Sequence, residues 1–317
     1  MPVYLVRNVL LVLLAVLLCP LLTRAQDAPA PLPNPTPAAA AGEKYLLKFQ
    51  FKPGQVVRYE VIHEGEITTQ YNEVTEVAKN KSQSKKHYEV KAAHADGAGD
   101  LELTIDWVHM EASQGNSAPI VFKSDESDSV PKAYQALLKA IGQPQATIRF
   151  SAAGEILKVE AATKANQATV AKANSSTASP ESYLIPLPTQ PISVGESWKE
   201  RFEVEITNQD RLPIKVSMLR TYKLEQVQAG RAMIEFRTSI LTPIDDAALA
   251  AQLIQRETNG KIVFDLQEGI LLSRTSGVDR TVLNPFGQKS SMRAVSVYRE
   301  RVLPPDETAA KPGKTVN

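Results

Sequence analysis

The sequence predicts a mainly β (α+β) protein made of two similar repeats of antiparallel strands, each with one short helix packed on a curved sheet. Three observations predict this fold. Apolar and polar residues alternate over much of the chain, glycine-containing turns separate the alternating stretches, and the same order of elements occurs twice. Alternation with a period of two is typical of antiparallel strands that bury one face and leave the other in water.

Each repeat opens with a glycine turn followed by an alternating strand. The first repeat has KPGQVVRYEVIHEGEIT (52–68) and the second has SVGESWKERFEVEIT (193–207). Trp198 begins the strand of the second repeat, behind a proline-rich joint, and the corresponding position of the first repeat carries Val57. We therefore expect Trp198 to start the second repeat without belonging to the repeated pattern.

A hairpin and then a helix follow in each repeat. The predicted hairpins, 87–107 and 221–240, each have two alternating stretches around a short turn that contains glycine. The predicted helices cover 130–142 and 245–260. In the first helix an apolar stripe recurs at i, i+3, i+4 and i+7, formed by Tyr134, Leu137, Leu138 and Ile141.

The ends of both helices carry recognisable capping residues. Ser129 is the expected N-cap of the first helix, and Asp245 or Asp246 is the expected N-cap of the second. Gly142 and Gly260 are the expected C-terminal stops.

A second hairpin closes each repeat. The two hairpins, 146–161 and 260–276, place Phe150 opposite Phe264 when they are aligned. One more strand, 291–303, has no counterpart in the first repeat. We expect this last strand to pair between the two halves.

The chain begins with an apolar segment that is typical of export. Small residues precede Gln26, so we expect cleavage after Ala25, with an uncleaved anchor and a lipid-modified Cys19 as alternatives. The predicted organisation is signal peptide 1–25, Pro/Ala-rich disordered tether 26–42, β-rich repeat 43–161, polar linker 162–185, β-rich repeat 186–303 and disordered tail 304–317.

Composition excludes several functional classes. The single cysteine lies in the predicted signal peptide, so disulfides, cysteine-based metal sites and thiol catalysis are not expected in the mature chain. Removal of residues 1–25 takes away two arginines and no acid, which leaves 34 basic against 35 acidic residues. This balance favours neither nucleic acid nor an anionic membrane as a partner, and no transmembrane span is expected after cleavage.

No motif of catalysis, cofactor binding or metal binding stands out. The four histidines have no metal-ligand spacing, although His63 could meet His109 and Glu111 at a sheet rim. Asp106, His109 and Glu111 are the only weak catalytic candidates, and Trp107 beside them is expected in the core. We therefore predict no cofactor and no metal.

Two basic stretches are expected to serve solubility only. The run KNKSQSKK (79–86) is predicted to be a solvated loop. The stretch 299–301 is predicted to be a charged strand edge that opposes aggregation.

Three stretches carry a family resemblance. The opening strand K-P-G-Q-V-x-R-Y-E-V, the joint L-P-x-x-P-I-x-V-G-E-S-W (187–198) and the closing G-I-L hairpin resemble an uncharacterised family of exported bacterial β-rich proteins that is common in planctomycetes. This resemblance covers most of 43–303 and implies export and a β fold. A wider, fold-level likeness is to periplasmic lipoprotein-carrier proteins, whose curved sheet encloses an acyl chain, and it implies no function.

The sequence thus predicts an exported, periplasmic or extracellular protein that is not an enzyme. We expect a binding or scaffold module of the cell envelope, with a hydrophobic small molecule or an envelope protein as its partner. The alternative is a hydrolase or carbohydrate-active enzyme with a site between the two halves. The identity of the partner and the oligomeric state stay open.

Overall fold

The computed structural model describes residues 42–126, 130–161, 184–208 and 210–304. The predicted signal peptide, nearly all of the predicted tether, linker and tail, and the expected N-cap Ser129 lie outside these residues. Domain bounds that fall there stay predictions.

Strands dominate the described residues, and the helices are short. The fourteen strands are β1 (Lys44–Tyr45), β2 (Val56–Tyr71), β3 (Val74–Ala93), β4 (Gly99–Gln114), β5 (Ile120–Lys123), β6 (Pro144–Phe150), β7 (Ile156–Ala161), β8 (Ile192–Ser193), β9 (Ser197–Thr207), β10 (Pro213–Gln228), β11 (Arg231–Ile240), β12 (Asn259–Asp265), β13 (Ile270–Leu283) and β14 (Ser290–Val302). A 3₁₀ turn (Lys132–Tyr134) leads into helix α1 (Gln135–Ala140), and helix α2 is Ala247–Leu253.

Twelve of the strands form one open antiparallel sheet. Its order is β7-β6-β4-β3-β2-β14-β13-β12-β11-β10-β9, and β5 pairs with β4 alongside β6. Strands β1 and β8 form a separate two-stranded sheet. The predicted mainly β fold with antiparallel pairing is confirmed.

The two halves of the sheet repeat one meander. Strands β2, β3, β4, β6 and β7 match β9, β10, β11, β12 and β13, and both sets run in the same direction across the sheet. Strand β14 lies between β2 and β13 and pairs with both, as expected for the last strand. The strand register agrees with the repeat, since Val57 pairs with Tyr88 and Trp198 pairs with Tyr222.

Both helices pack on the sheet but are shorter than predicted. The apolar stripe of α1 packs against Val108, Met110 and Phe122, so that prediction is confirmed. Asp246 caps α2, because its Oδ1 accepts from the backbone N of Ala248 at 2.7 Å. The predicted stop at Gly260 is wrong, since α2 ends before it and Gly260 belongs to β12.

The two basic stretches occupy the sheet and not its margins. Residues 79–86 lie inside the 20-residue strand β3, because no glycine or proline interrupts the alternation between Val74 and Ala93. The stretch 299–301 belongs to β14, which is a central strand. The predictions of a solvated loop and a charged edge are therefore wrong.

The main core lies on one face of the sheet, here called the inner face. Its largest buried cluster joins Ile148 of β6 to Leu224 of β10, which lie near opposite ends of the strand order. The sheet must therefore curl until the inner faces of its two halves share one core. Two segments outside the large sheet fill the space between the halves. These lead-in segments are 46–55 and 184–191, and they contribute Leu47, Phe49, Ile185 and Leu187.

Candidate functional site

An apolar cleft opens at the end of the core where the lead-in segments enter. Aromatic and aliphatic side chains dominate its lining, among them Phe49, Phe51, Tyr59, Tyr88, Leu101 and Leu184. Only about 20 Å³ of the cleft can take the centre of a water molecule, and the space around it is continuous with solvent. It is therefore a shallow apolar site whose mouth is partly filled by the chain itself.

Two backbone hydrogen bonds and two glycines hold the first lead-in segment in place. The N–H groups of Phe49 and Gln50 donate to the carbonyl oxygens of Ala152 (2.8 Å) and Gly269 (3.1 Å). Gly269 has φ 62°, and a Cβ there would lie 2.5 Å from the backbone N of Gln50. A Cβ on Gly99 would lie 2.4 Å from the ring of Phe51. Both positions need glycine because the segment approaches the strands so closely.

A buried group of three charged residues, here called the ion cluster, lies next to this cleft. Glu300 accepts from Lys86 Nζ through Oε1 at 2.8 Å and from Arg274 Nη2 through Oε2 at 2.7 Å. The side chains of Lys86, Arg274 and Glu300 are only 12%, 2% and 4% exposed. The three residues come from β3, β13 and β14, so the cluster joins the two halves of the sheet.

The ion cluster keeps its charges in spite of its burial. Burial lowers the pKa of Lys86, but the charge of Glu300, the neighbouring Tyr88 and Tyr298 and the hydrogen bond to Glu300 together outweigh burial and raise that pKa above the usual lysine value. Burial raises the pKa of Glu300, but Lys86 and Arg274 outweigh it and hold the pKa below the usual range. All three groups are therefore ionised at neutral pH.

Two tyrosine rings connect the cleft to the ion cluster. Tyr59 and Tyr88 line the cleft, and their ring centroids lie 5.9 and 5.4 Å from Lys86 Nζ. The Tyr59 hydroxyl donates to the carbonyl oxygen of Leu271 at 3.0 Å. Burial, followed by the charge of Glu300, raises the pKa of Tyr59, so its hydroxyl stays neutral. The floor of the cleft is thus formed by rings with a cation close to them.

The second repeat buries a cation at the equivalent position. Lys86 pairs across the strands with Tyr59, and Arg220 pairs with Glu200, the counterpart of Tyr59. Arg220 is 3% exposed, its Nε donates to Thr238 Oγ1 at 2.9 Å, and its guanidinium lies 5.0 Å from the ring centroid of Phe236.

The sequence analysis did not predict this shared cation, although the two repeats carry a matching sequence pattern for it. In the aligned repeats, KHYEV (86–90) matches RTYKL (220–224), with a cation two positions before each tyrosine. The hydrophobic alternation concealed it, because a lysine or arginine at an inward position is usually read as solvated.

The predicted catalytic candidates lie elsewhere. Asp106 is the extra residue of a β-bulge, where its carboxylate lies 2.8 Å from His87 Nδ1 and 3.8 Å from Arg58 Nη1. The bulge reverses the inward and outward alternation, so His109 and Glu111 lie on the outer face. Trp107 is also on the outer face and half-buried, and the expectation that it belongs to the core is wrong.

The expected meeting of His63 with His109 and Glu111 does not occur. His63 pairs with Ser82, whose partner on β4 is Met110, so His63 lies on the inner face with its ring 5.7 Å from that of Tyr298. Within the described residues, no three His, Cys, Asp or Glu side chains are grouped so that they could hold a metal ion. In the same part of the chain, no helix has the length and apolar character needed to cross a membrane.

These features of the described residues define a mainly β protein with an apolar cleft next to a buried ion cluster. No family model matches the chain, and no curated protein matches it. Among solved structures the chain is similar to lipovitellin, in a structure that concerns lipid–protein interactions. The two chains are 15% identical with a TM-score of 0.46, and the match covers 80% of this chain and 26% of that chain. This chain therefore spans about a quarter of the length of lipovitellin.

A second solved structure is less similar. It is DynF from the dynemicin biosynthesis pathway of Micromonospora chersina, with 7% identity, a TM-score of 0.19 and coverage of 86% of this chain and 96% of that chain. Since both TM-scores are below 0.5, neither likeness indicates what this chain does. The resemblance to an exported family common in planctomycetes stays a prediction.

Proposed function

We propose that the protein is an exported, non-enzymatic binding module of the cell envelope and that its cleft takes an apolar ligand. The observation that carries this proposal is the lining of the cleft, in which Phe49, Phe51 and Leu101 stand with other apolar side chains around a few polar groups. Sites for small molecules are typically concave and mostly apolar, with a small number of polar groups that orient the ligand.

Ligand binding requires the mouth of the cleft to widen. Phe51 and Leu184 line the cleft, are only half-buried and belong to the lead-in segments. Because neither residue lies in a strand of the large sheet, both can move without breaking the strand pairing. An apolar ligand would replace their contacts with the floor of the cleft and so recover the buried apolar area.

The absence of catalysis is part of the proposal and is supported by the positions of the candidate residues. Asp106 is held by His87 and Arg58 on the bulge, and His109 and Glu111 lie on the outer face, away from the cleft. Export is supported by the predicted signal peptide and by the absence of cysteine from the predicted mature sequence.

A neutral fluorescent probe, N-phenyl-1-naphthylamine, tests the proposed binding. We expect its fluorescence to rise on addition of the folded protein, and we expect Leu184→Glu to weaken binding at least about tenfold, because a carboxylate at the mouth disfavours an apolar guest. Leu212→Glu is the matched control, since Leu212 is 59% exposed in a distant turn. Equal binding by both variants, or no binding by the wild type, would contradict the proposal.

A further inference from the structure

We propose that the ligand of the cleft is an anionic amphiphile, a molecule with one apolar chain and one negatively charged group, and that Lys86 and Arg274 attract that group. This inference rests on the proposed function, because it requires the cleft to bind an apolar chain. It adds the charge of the ligand and the residues that recognise it.

One cation of the ion cluster lies close to the cleft. Lys86 Nζ lies within 6 Å of the centroids of two rings that form the floor of the cleft, Tyr59 at 5.9 Å and Tyr88 at 5.4 Å. The side chain of Lys86 is 12% exposed, whereas that of Arg274 is 2% exposed. Lys86 does not line the cleft itself, but it contacts two rings that do, so it is the cation of the ion cluster next to the cleft, and Arg274 contributes through its field.

The ion cluster carries a net positive charge. Lys86 and Arg274 share the single carboxylate of Glu300, so the three groups together carry a formal charge of +1. A charge surrounded by low-dielectric walls acts over a longer distance than one in water, and an anion nearby offsets part of the cost of burying it. Tyr59, whose pKa is raised by burial, stays neutral and does not cancel this field.

The second repeat has no such cation beside the cleft among the contacts described above. The equivalent cation, Arg220, lies 5.6 and 5.0 Å from the ring centroids of Phe202 and Phe236 and donates to Thr238. None of these residues lines the cleft. Lys86, by contrast, contacts two rings that line it.

The test compares oleate with oleyl alcohol, which have the same chain and differ only in charge. We expect wild-type protein to bind oleate at least about tenfold more tightly than the alcohol, by calorimetry at constant salt. Lys86→Met should abolish the preference, and Lys86→Arg should keep it. Lys85→Met is the matched control, since Lys85 is the neighbouring residue on the outer face, opposite Glu60 in the strand register.

The outcomes separate the two proposals. If neither oleate nor the alcohol binds, the proposed function is wrong. If both bind equally well, the cleft takes apolar chains and the inference about charge is overturned. Acetate should not compete with oleate, and competition would show that the charge binds without the chain. The wild-type comparison stands even if Lys86→Met does not fold.

Discussion

Replacing Glu300 by glutamine should destabilise the protein far more than neutralising an exposed acid of the sheet such as Asp279. The side chain of Glu300 is 4% exposed and lies 2.8 and 2.7 Å from the cationic groups of Lys86 and Arg274, which are themselves buried. Glutamine keeps the shape but leaves two buried positive charges without their carboxylate. Removing one partner of a buried ion pair typically costs about 3–5 kcal/mol, and we expect the loss to fall in that range.

Urea unfolding, monitored by tryptophan fluorescence and circular dichroism, measures this loss. Asp279→Asn is the control, because Asp279 and Arg293 form an ion pair of the same 2.7 Å length while both side chains are more than half exposed. We expect its unfolding midpoint to stay close to that of the wild type, since exposed pairs contribute little. A Glu300→Gln variant within about 1 kcal/mol of wild type would refute the reasoning that the ion cluster is desolvated and ionised.

Three further predictions concern stability. Gly269→Ala should lower the unfolding midpoint more than Gly230→Ala, because both have positive φ but only Gly269 lies against the backbone of a lead-in segment; equal losses would contradict this. Asp246→Ala should cost about 1 kcal/mol in urea unfolding by removing the cap of α2, and Asp246→Asn should restore most of it. The hydrogen bond from Arg149 lowers the pKa of Asp100 to about 2. The stabilisation of the folded protein by this ionised pair is therefore fully present above the ordinary aspartate pKa of about 3.9 and is lost as pH falls towards about 2. Asp100→Asn should flatten the pH dependence of the free energy of unfolding across that window.

Most of the long strands and their order along the chain could be predicted because their signals are local and occur twice. Alternation around Val57 and around Phe202 defines the two opening strands, and the repeat fixes their equivalence. Strand β14 has no counterpart in the first repeat, which predicted that it pairs between the two halves, and it does so. The sheet neighbours of β14 then brought Glu300 beside Arg274, which no local pattern could indicate.

The cleft and its surroundings could not be predicted because they depend on contacts distant in sequence. The lead-in residues Leu47 and Phe49 do not lie in strands, and they are buried only because the curled sheet leaves space between its halves. No glycine or proline in the sequence next to Asp106 indicates the bulge, yet the bulge moves His109 and Glu111 to the outer face. A single additional residue thus separated the predicted site from the inner face.

Native mass spectrometry of residues 26–317, purified from a periplasm without detergent, tests the central claim most directly. The account predicts an excess mass that solvent extraction recovers as an apolar, negatively charged molecule, and that Leu184→Glu carries in smaller amount. A mass equal to that of the bare chain, together with no uptake of oleate or oleyl alcohol, would contradict the claim that the cleft is a binding site.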